Sequence, residues 1–220
     1  MFRRLVVGMG FAALAAGPLA AQDFEIGPRL GYVKWKEATG LQGSAMLGVD
    51  ALYRISSRLG VGVRLDVSRP GTDEQYFASE QSFGDTTLVF AVSQPVTVLQ
   101  YGVQARFETG GSLGAFVKGG AGGYTLTLDP QSARGRISVS DWNFAVGGGV
   151  KLRTGGGTSI TLEVQDLIYA NFNRDDLNPV EPRFQPRRFP DVVPFQTPFQ
   201  GTAHNIYGAI TFMFTPGGAQ

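Results

Sequence analysis

The chain has 220 residues, of which 31 are Gly and none is Cys, and its formal net charge at pH 7 is only +1. A charge balance so close to neutral offers no basic surface for a nucleic acid. The lack of Cys excludes a disulfide-stapled scaffold, and it fits an exported protein that does without disulfides.

The first 21 residues have the pattern of a secretory signal peptide. Arg3 and Arg4 form a basic start, Leu5–Ala16 is a short apolar stretch, and Leu19–Ala21 ends in small residues. A membrane anchor helix is the alternative, but the apolar stretch falls short of the roughly 20 residues that span a bilayer. We therefore predict that residues 1–21 are cleaved and that residues 22–220 form one domain. Loss of the two arginines leaves 17 basic against 18 acidic residues, a net charge of −1.

Eight segments of the mature chain alternate apolar and polar side chains with the period of a β-strand. No apolar stretch in this region is long enough for a transmembrane helix. Strands of a transmembrane barrel need no such stretch, because half of their residues face the lumen. The predicted strands are Phe24–Lys34, about Gln42–Tyr53, Gly60–Ser68, about Thr97–Glu108, Leu113–Thr127, Trp142–Arg153, Ser159–Asn171 and His204–Phe214.

The last segment, His204–Phe214, has the clearest meaning. Its 11 residues match the roughly 9–11 that a tilted strand needs to cross a bilayer. A lone strand cannot rest in lipid, because its N–H and C=O groups would be unpaired in hydrocarbon. The last strand has a neighbour on each side only if it pairs with the first. The sequence therefore predicts an all-β fold, an eight-stranded antiparallel up-and-down transmembrane β-barrel.

The connections alternate in length along the chain. Three of them, at 56–59, 109–112 and 154–158, are short and rich in Gly, Ser or Thr, as tight hairpins are. The other four are longer: 35–41, 69–86, 128–140 and 172–202. Short periplasmic turns and long extracellular loops are typical of transmembrane barrels. Within the second long connection, Thr87–Ser93 is predicted to extend the fourth strand upward past Pro95.

The fourth long connection, 172–202, is rich in Pro and Phe. Prolines recur at every fourth residue from Pro182 to Pro198, which excludes helix and central strand and favours extended chain. Two interpretations stay open. The loop is either an external surface for a ligand or a lid whose aromatic side chains pack on the mouth of the barrel.

Aromatic residues on the apolar faces lie near the two ends of the strands. They are Tyr32, Tyr53, Phe107, Trp142, Phe144, Phe172, Phe212 and Phe214. Two such bands resemble the aromatic girdles at the two membrane interfaces. A soluble ligand-binding barrel would instead turn its apolar face inward. The girdles, together with polar faces rich in Gly and in charges of both signs, favour the membrane barrel.

The polar faces collect charges that we predict to form an ion network in the lumen. They are Arg29, Asp50, Arg64, Asp66, Arg106, Lys118, Lys151 and Glu163. An eight-stranded lumen is just wide enough for side chains to fill it, and buried charges persist only when they are paired. A structural plug is therefore favoured over an ion pathway. Asp50 and Arg64 lie equally far from the turn at 56–59, so we expect them to pair.

The sequence gives little support for catalysis, and no cofactor or metal site is predicted. The single His, His204, could act only with a hydroxyl and a carboxylate at the rim, and no spacing singles out Ser140, Asp141 or Asp166 as its partners. The Gly clusters near residues 119–123 and 147–149 lie in mid-strand and not at a strand-to-helix turn, so they do not indicate a phosphate loop.

Taken together, the signal, the eight strands, the loop rhythm and the aromatic-ended last strand resemble the small eight-stranded outer-membrane β-barrel family of the OmpA transmembrane domain and OmpX. The resemblance implies a monomer in the bacterial outer membrane, surrounded by its lipids, including lipopolysaccharide. It also implies that Phe212 and Phe214 form the signal read by the outer-membrane insertion machinery during assembly.

Two function classes remain from the sequence. One is a structural or surface-interaction barrel that acts through its extracellular loops, with an unknown ligand or protein partner. The other is a narrow porin-like channel for ions or very small solutes.

Overall fold

A computed structural model describes residues 24–73, 78–83, 85–91, 93–128, 136–177 and 199–216. The predicted signal peptide and the proline run of the last long loop lie outside these residues. In the described part of the chain, no helix is long and apolar enough to cross a membrane.

Ten strands and two short 3-10 turns make up the described structure. The strands are β1 (Phe24–Lys34), β2 (Ser44–Arg54), β3 (Leu59–Ser68), β4 (Ala78–Phe83), β5 (Thr86–Ala91), β6 (Val96–Glu108), β7 (Leu113–Leu128), β8 (Ile137–Gly155), β9 (Thr158–Asn173) and β10 (Gln200–Phe214). The 3-10 turns, Glu37–Thr39 and Asp175–Leu177, lie in the loops after β1 and β9.

Eight of these strands form a closed barrel in the order β1-β2-β3-β6-β7-β8-β9-β10, with β10 pairing back on β1. Every neighbouring pair is antiparallel, and the closing seam runs from Ile26 opposite Phe214 to Lys34 opposite Ile206. Closure leaves no strand edge to be exposed to hydrocarbon. The predicted eight-stranded up-and-down barrel is confirmed.

Some strands are longer than the alternation alone predicts. β8 has 19 residues, well beyond the roughly 9–11 that cross the apolar band. The upper parts of β7 and β8 carry outward hydroxyls, with Thr125 Oγ1 2.8 Å from Ser140 Oγ. Because the lipid-facing band of such barrels is mainly apolar, we expect this part of the β7–β8 hairpin to lie beyond the band on the long-loop side.

The second long connection corrects one prediction. Thr86–Ala91 does not extend the fourth barrel strand; it pairs with Ala78–Phe83 in a separate two-stranded sheet. Pro95 has no N–H for the barrel ladder. It instead forms an isolated antiparallel β-bridge with Gly71. The barrel strand begins at Val96, whose N–H donates to the Pro70 carbonyl.

The two faces of the barrel wall follow the predicted parity. Leu162 is 50% exposed on the outer wall, whereas Gln165, three residues later, is 1% exposed in the lumen. On β7, three apolar side chains that interrupt the expected polar face, Phe116, Tyr124 and Leu126, share the inward parity of Lys118 and are buried. The interior is therefore not polar throughout.

Phe172 is a second correction. It was predicted to lie in the outer aromatic girdle, but it is only 1% exposed and packs inside the barrel. Gly201 pairs with Phe172 while Ala203 pairs with Tyr169, so β9 has one extra residue at this point. Such a bulge reverses the parity of the residues beyond it, and the sequence carries no mark of it.

Gly27 tests the register of the closing seam. A Cβ on Gly27 would collide with the backbone carbonyl of Phe212 on β10. We expect Gly27→Ala to lower the free energy of unfolding by about 1–3 kcal/mol, as overpacked sites do. The measurement is urea unfolding of the barrel, followed by the difference in SDS-gel migration between unheated and boiled protein. In the matched control, Gly119→Ala, the new Cβ would have the Ala145 carbonyl oxygen as its nearest neighbour, at 3.8 Å, so little loss is expected. Equal stability of the two variants would contradict the seam.

Candidate functional site

The barrel interior is built in three layers, which we name from the short-turn end to the long-loop end. The basal layer is a group of charged side chains at the short-turn ends of the strands: Glu25, Arg54, Arg106, Glu108, Lys151 and Arg153. The central layer holds charged and amide side chains near mid-barrel: Arg29, Asp50, Arg64, Asp66, Gln104, Lys118, Glu163 and Gln165. Above them lies an apolar cluster that we call the plug.

The basal layer is held together by two glutamates. Lys151 Nζ lies 2.7 and 2.8 Å from the carboxylate oxygens of Glu25, and Arg54 lies 2.7 Å from the same group. Arg54 also reaches Glu108 at 3.0 Å, and Glu108 contacts Arg153 at 2.9 Å. Neither glutamate was included in the predicted network. Their inward parity at the strand ends was the signal that could have found them.

The central layer is organised by Arg29, which is 1% exposed. Its guanidinium lies 2.5 Å from Glu163, 3.5 Å from Asp66 and 3.9 Å from Asp50. Lys118 Nζ approaches the other oxygen of Glu163 at 2.6 Å. One arginine thus bridges carboxylates from β2, β3 and β9, three strands around the wall.

The predicted pairing of Asp50 with Arg64 is wrong, although their register is as expected. The two residues are opposite each other on β2 and β3. Arg64 nevertheless donates across the lumen to Gln165 Oε1 at 3.1 Å, and Asp50 accepts from the Gln104 amide. Register fixes the Cβ positions, whereas a long arginine side chain places its charge well away from its own Cβ.

The structure thus places all eight predicted lumen residues in the buried interior. Seven of them take part in ion pairs of the basal or central layer; Arg64 is the one bound through an amide.

The plug fills the long-loop half of the interior with aromatic and aliphatic side chains. Tyr124 and Tyr169 stack at 3.8 Å between ring centroids, and Trp35 and Phe172 pack around Tyr169 at 5.8 and 6.4 Å. The buried members are Val33, Trp35, Leu41, Met46, Val96, Val98, Tyr124, Leu126, Leu128, Ala145, Leu167, Tyr169, Phe172, Leu177, Ala203, Tyr207 and Ala209. Such packing is typical of a protein interior.

The plug also anchors the bases of the loops. Trp35, Leu41 and Leu177 belong to loops and are buried in it. Backbone hydrogen bonds add to this anchoring: Asp73 N–H donates to the Gly40 carbonyl at 2.7 Å. The loop bases therefore form one body with the barrel.

His204 and Asp166 lie together on the outer wall and not at the mouth. His204 Nδ1 is 2.6 Å from Asp166 Oδ2, and both side chains are partly exposed. Ser140 contacts Thr125 instead. His204 on β10 pairs with Ile168 on β9, and Ile168 pairs with Phe144 on β8. Ser140 is four residues from Phe144 on β8, so it lies two strands away from His204 and in a different row. Among the described residues, no catalytic hydroxyl joins the pair.

The remaining girdle residues are exposed on the outer wall. Tyr53, Phe107, Phe212 and Phe214 lie at the short-turn end, and Tyr32, Trp142 and Phe144 at the long-loop end.

Arg29 and Arg64 form a matched pair of buried arginines with different partners. Arg29→Met would leave three carboxylates without their shared cation, so we expect a loss of roughly 3–5 kcal/mol in the free energy of unfolding. Arg64→Met removes one hydrogen bond to an amide, and we expect about 1–3 kcal/mol. Urea titration of both variants in detergent micelles measures the difference. If Arg64→Met costs as much as Arg29→Met, the central layer is not organised by Arg29.

Comparisons with known proteins agree with this architecture. The family model described as "Outer membrane protein beta-barrel domain" matches residues 6–181. A search of curated proteins finds no match. Among solved structures, the Neisserial surface protein A has 8% sequence identity and a TM-score of 0.56, with 88% of this chain and 97% of that chain covered.

Two further solved structures have lower TM-scores. Ail of Yersinia pestis has 12% identity and a TM-score of 0.44, with 87% of this chain and 96% of that one covered. The N-terminal β-barrel domain of Pseudomonas aeruginosa OprF has 10% identity and a TM-score of 0.38, with 88% and 98% covered. The family model spans most of the chain, and the closed barrel agrees with the β-barrel domain that it describes. The chain belongs to the family of outer-membrane protein β-barrel domains and is a protein of the bacterial outer membrane.

Proposed function

We propose that this protein is a closed, non-enzymatic barrel that presents its extracellular loops to partners at the cell surface. The observation that carries the proposal is the filled interior, in which two charged layers and the plug occupy the lumen from the short-turn end to the long-loop end. A barrel without an open path acts through its surface.

The filled interior argues against the channel alternative. An ion crossing the barrel would have to separate the carboxylates of Glu25 and Glu163 from their cations. It would then have to pass the stacked rings of Tyr124 and Tyr169 without its water shell. Desolvated, unpaired charge is costly in such a setting.

The anchored loop bases favour surface recognition. Arg174, beside the last long loop, donates to the Ala38 carbonyl of the first loop at 2.9 Å, and Lys36 N–H binds Asn205 on β10 at 3.0 Å. A platform that is already ordered loses little conformational entropy when it binds a partner. The segment rich in Pro and Phe, which begins and ends on this platform, is the proposed contact surface for an external ligand or protein.

Two partner classes follow from the outer wall. Its apolar band would be covered by outer-membrane lipids, including lipopolysaccharide, and the protein would be a monomer among them. Phe212 and Phe214 are exposed at the end of the closing strand, where the insertion machinery could read them during assembly.

Conductance separates the surface barrel from the channel. We expect purified protein in planar bilayers to give no stepwise conductance, because the charged layers and the plug close the lumen. A porin reconstituted in the same way provides the positive control. Reproducible conductance steps from the wild-type protein would favour the channel and reject the closed interior.

Loop replacement tests the surface role directly. Residues 180–196 are replaced by a Gly/Ser linker of equal length, which leaves in place the plug residue Leu177 and Phe199, which packs against the plug. We expect binding to an immobilised panel of glycans and matrix proteins to fall by about tenfold or more, the equivalent of 1.4 kcal/mol. Replacement of 129–135 by the same kind of linker is the control for loop length and folding. Unchanged binding after the 180–196 replacement would contradict the proposed contact surface.

A further inference from the structure

A groove of about 520 Å³ lies on the outer wall, across β1, β10, β9 and β8. Its sides are the outward side chains Leu30, Tyr32, Val150, Leu162, Val164 and Ile210. Its floor is formed by Gly148 and Gly208. The volume is within the roughly 300–1,000 Å³ of small-molecule sites.

The groove exists because two outward positions in one row across the wall lack side chains. In that row Tyr32 pairs with Gly208, Gly208 with Val164, and Val164 with Gly148. Backbone packing does not require Gly at position 208, because an added Cβ would have the Glu163 carbonyl oxygen as its nearest neighbour, at 3.9 Å. A side chain would fit there, and it would fill the groove.

Polar groups lie directly above the groove on the same outer wall. Lys34 follows Tyr32 by two residues on β1, and Asp166 follows Val164 by two residues on β9, about 7 Å along each strand. Both flank Ile206 in the next row. His204, which holds Asp166 through Nδ1, is ten residues from Phe214 at the opposite girdle. Since roughly 9–11 residues cross the apolar band, these groups lie at its extracellular boundary.

We infer that this groove binds one phosphate-bearing lipid of the outer leaflet. An acyl chain lies over Gly208 and Gly148, and the phosphate lies at the boundary beside the Lys34 ammonium. Asp166, the carboxylate at the same boundary, is held by His204 Nδ1 at 2.6 Å. The inference rests on the lipid contact proposed above for the outer wall, and it does not depend on what the loops bind.

A lipid fits the groove better than a second copy of the chain. Apolar surface gives no driving force for protein association in hydrocarbon, where lipid chains are as apolar as the wall. Two concave faces also cannot fill each other across a twofold axis. A cation at the head of an apolar groove complements an amphiphile, because phosphate and ammonium form charge-assisted hydrogen bonds.

Native mass spectrometry of the whole protein in detergent micelles tests the site with two probes that share the same acyl chains, phosphatidic acid and diacylglycerol. We expect the wild type to retain one phosphatidic acid, roughly tenfold more than diacylglycerol. Equal retention of the two probes would overturn the assignment of the phosphate. This comparison needs no variant and so does not depend on how any variant folds.

Gly208→Leu tests the position of the acyl chain of the lipid. It should lower the retention of phosphatidic acid by roughly tenfold. Gly119→Leu, on the same outer wall but outside the groove, should leave retention unchanged. Unheated gel migration checks that both variants fold. Equal loss in the two variants would overturn the groove as the site.

Lys34→Gln tests the head of the site. It should abolish the preference for phosphatidic acid over diacylglycerol and leave diacylglycerol retention as it is. Added inorganic phosphate should not displace the lipid, because the acyl chain contributes packing that the free ion lacks. Displacement by phosphate alone would show an ion site without a lipid. A wild-type dimer that retains no lipid, and that Gly208→Leu converts to a monomer, would show a second copy of the protein in the groove. Displacement by phosphate and a dimer of this kind would each overturn the inference.

Discussion

The need to pair every backbone N–H and C=O in hydrocarbon is the constraint on which this structure depends. The seam between β1 and β10 meets it by joining the two ends of the sheet. Once the sheet is closed, the alternation of side chains divides every strand between lipid and lumen. The buried Gln165 and the exposed Leu162, three residues apart on β9, are consequences of the seam as much as of their own strand.

Closure with eight strands then fixes what the interior can be. The lumen is so narrow that side chains fill it, and charges placed there must find partners. Arg29 contacts carboxylates from three strands, and these ion pairs connect the strands across the interior. The plug fills the other half with aromatic and aliphatic side chains, which also hold the loops. In the part of the chain that the structure describes, the charged layers and the plug fill the interior, which is why we propose a barrel that acts through its surface.

Much of this fold could be predicted from the sequence, because period-two alternation is a local property of each strand. The parts that could not be predicted depend on contacts between strands. The bulge that turns Phe172 inward is set by the pairing of β9 with β10, and the separate β4–β5 sheet is likewise a pairing between two segments. Arg64 shows the same limit at the level of side chains, since parity and register placed it correctly but its partner lies across the lumen on β9.

The outer wall shows why departures from alternation are informative when they meet in space. Asp166 is a carboxylate on a lipid-facing row of the wall. A charged side chain on this face destabilises the barrel near mid-bilayer and is tolerated at the boundary of the membrane. Gly208 is an outward residue without a side chain in a row of large apolar neighbours. Along the sequence the two positions are 42 residues apart and unrelated. The pairing of β9 with β10 brings the apolar groove directly beneath the polar group, and that order, hydrocarbon below and charge above, is the order of a lipid molecule in the leaflet that surrounds it.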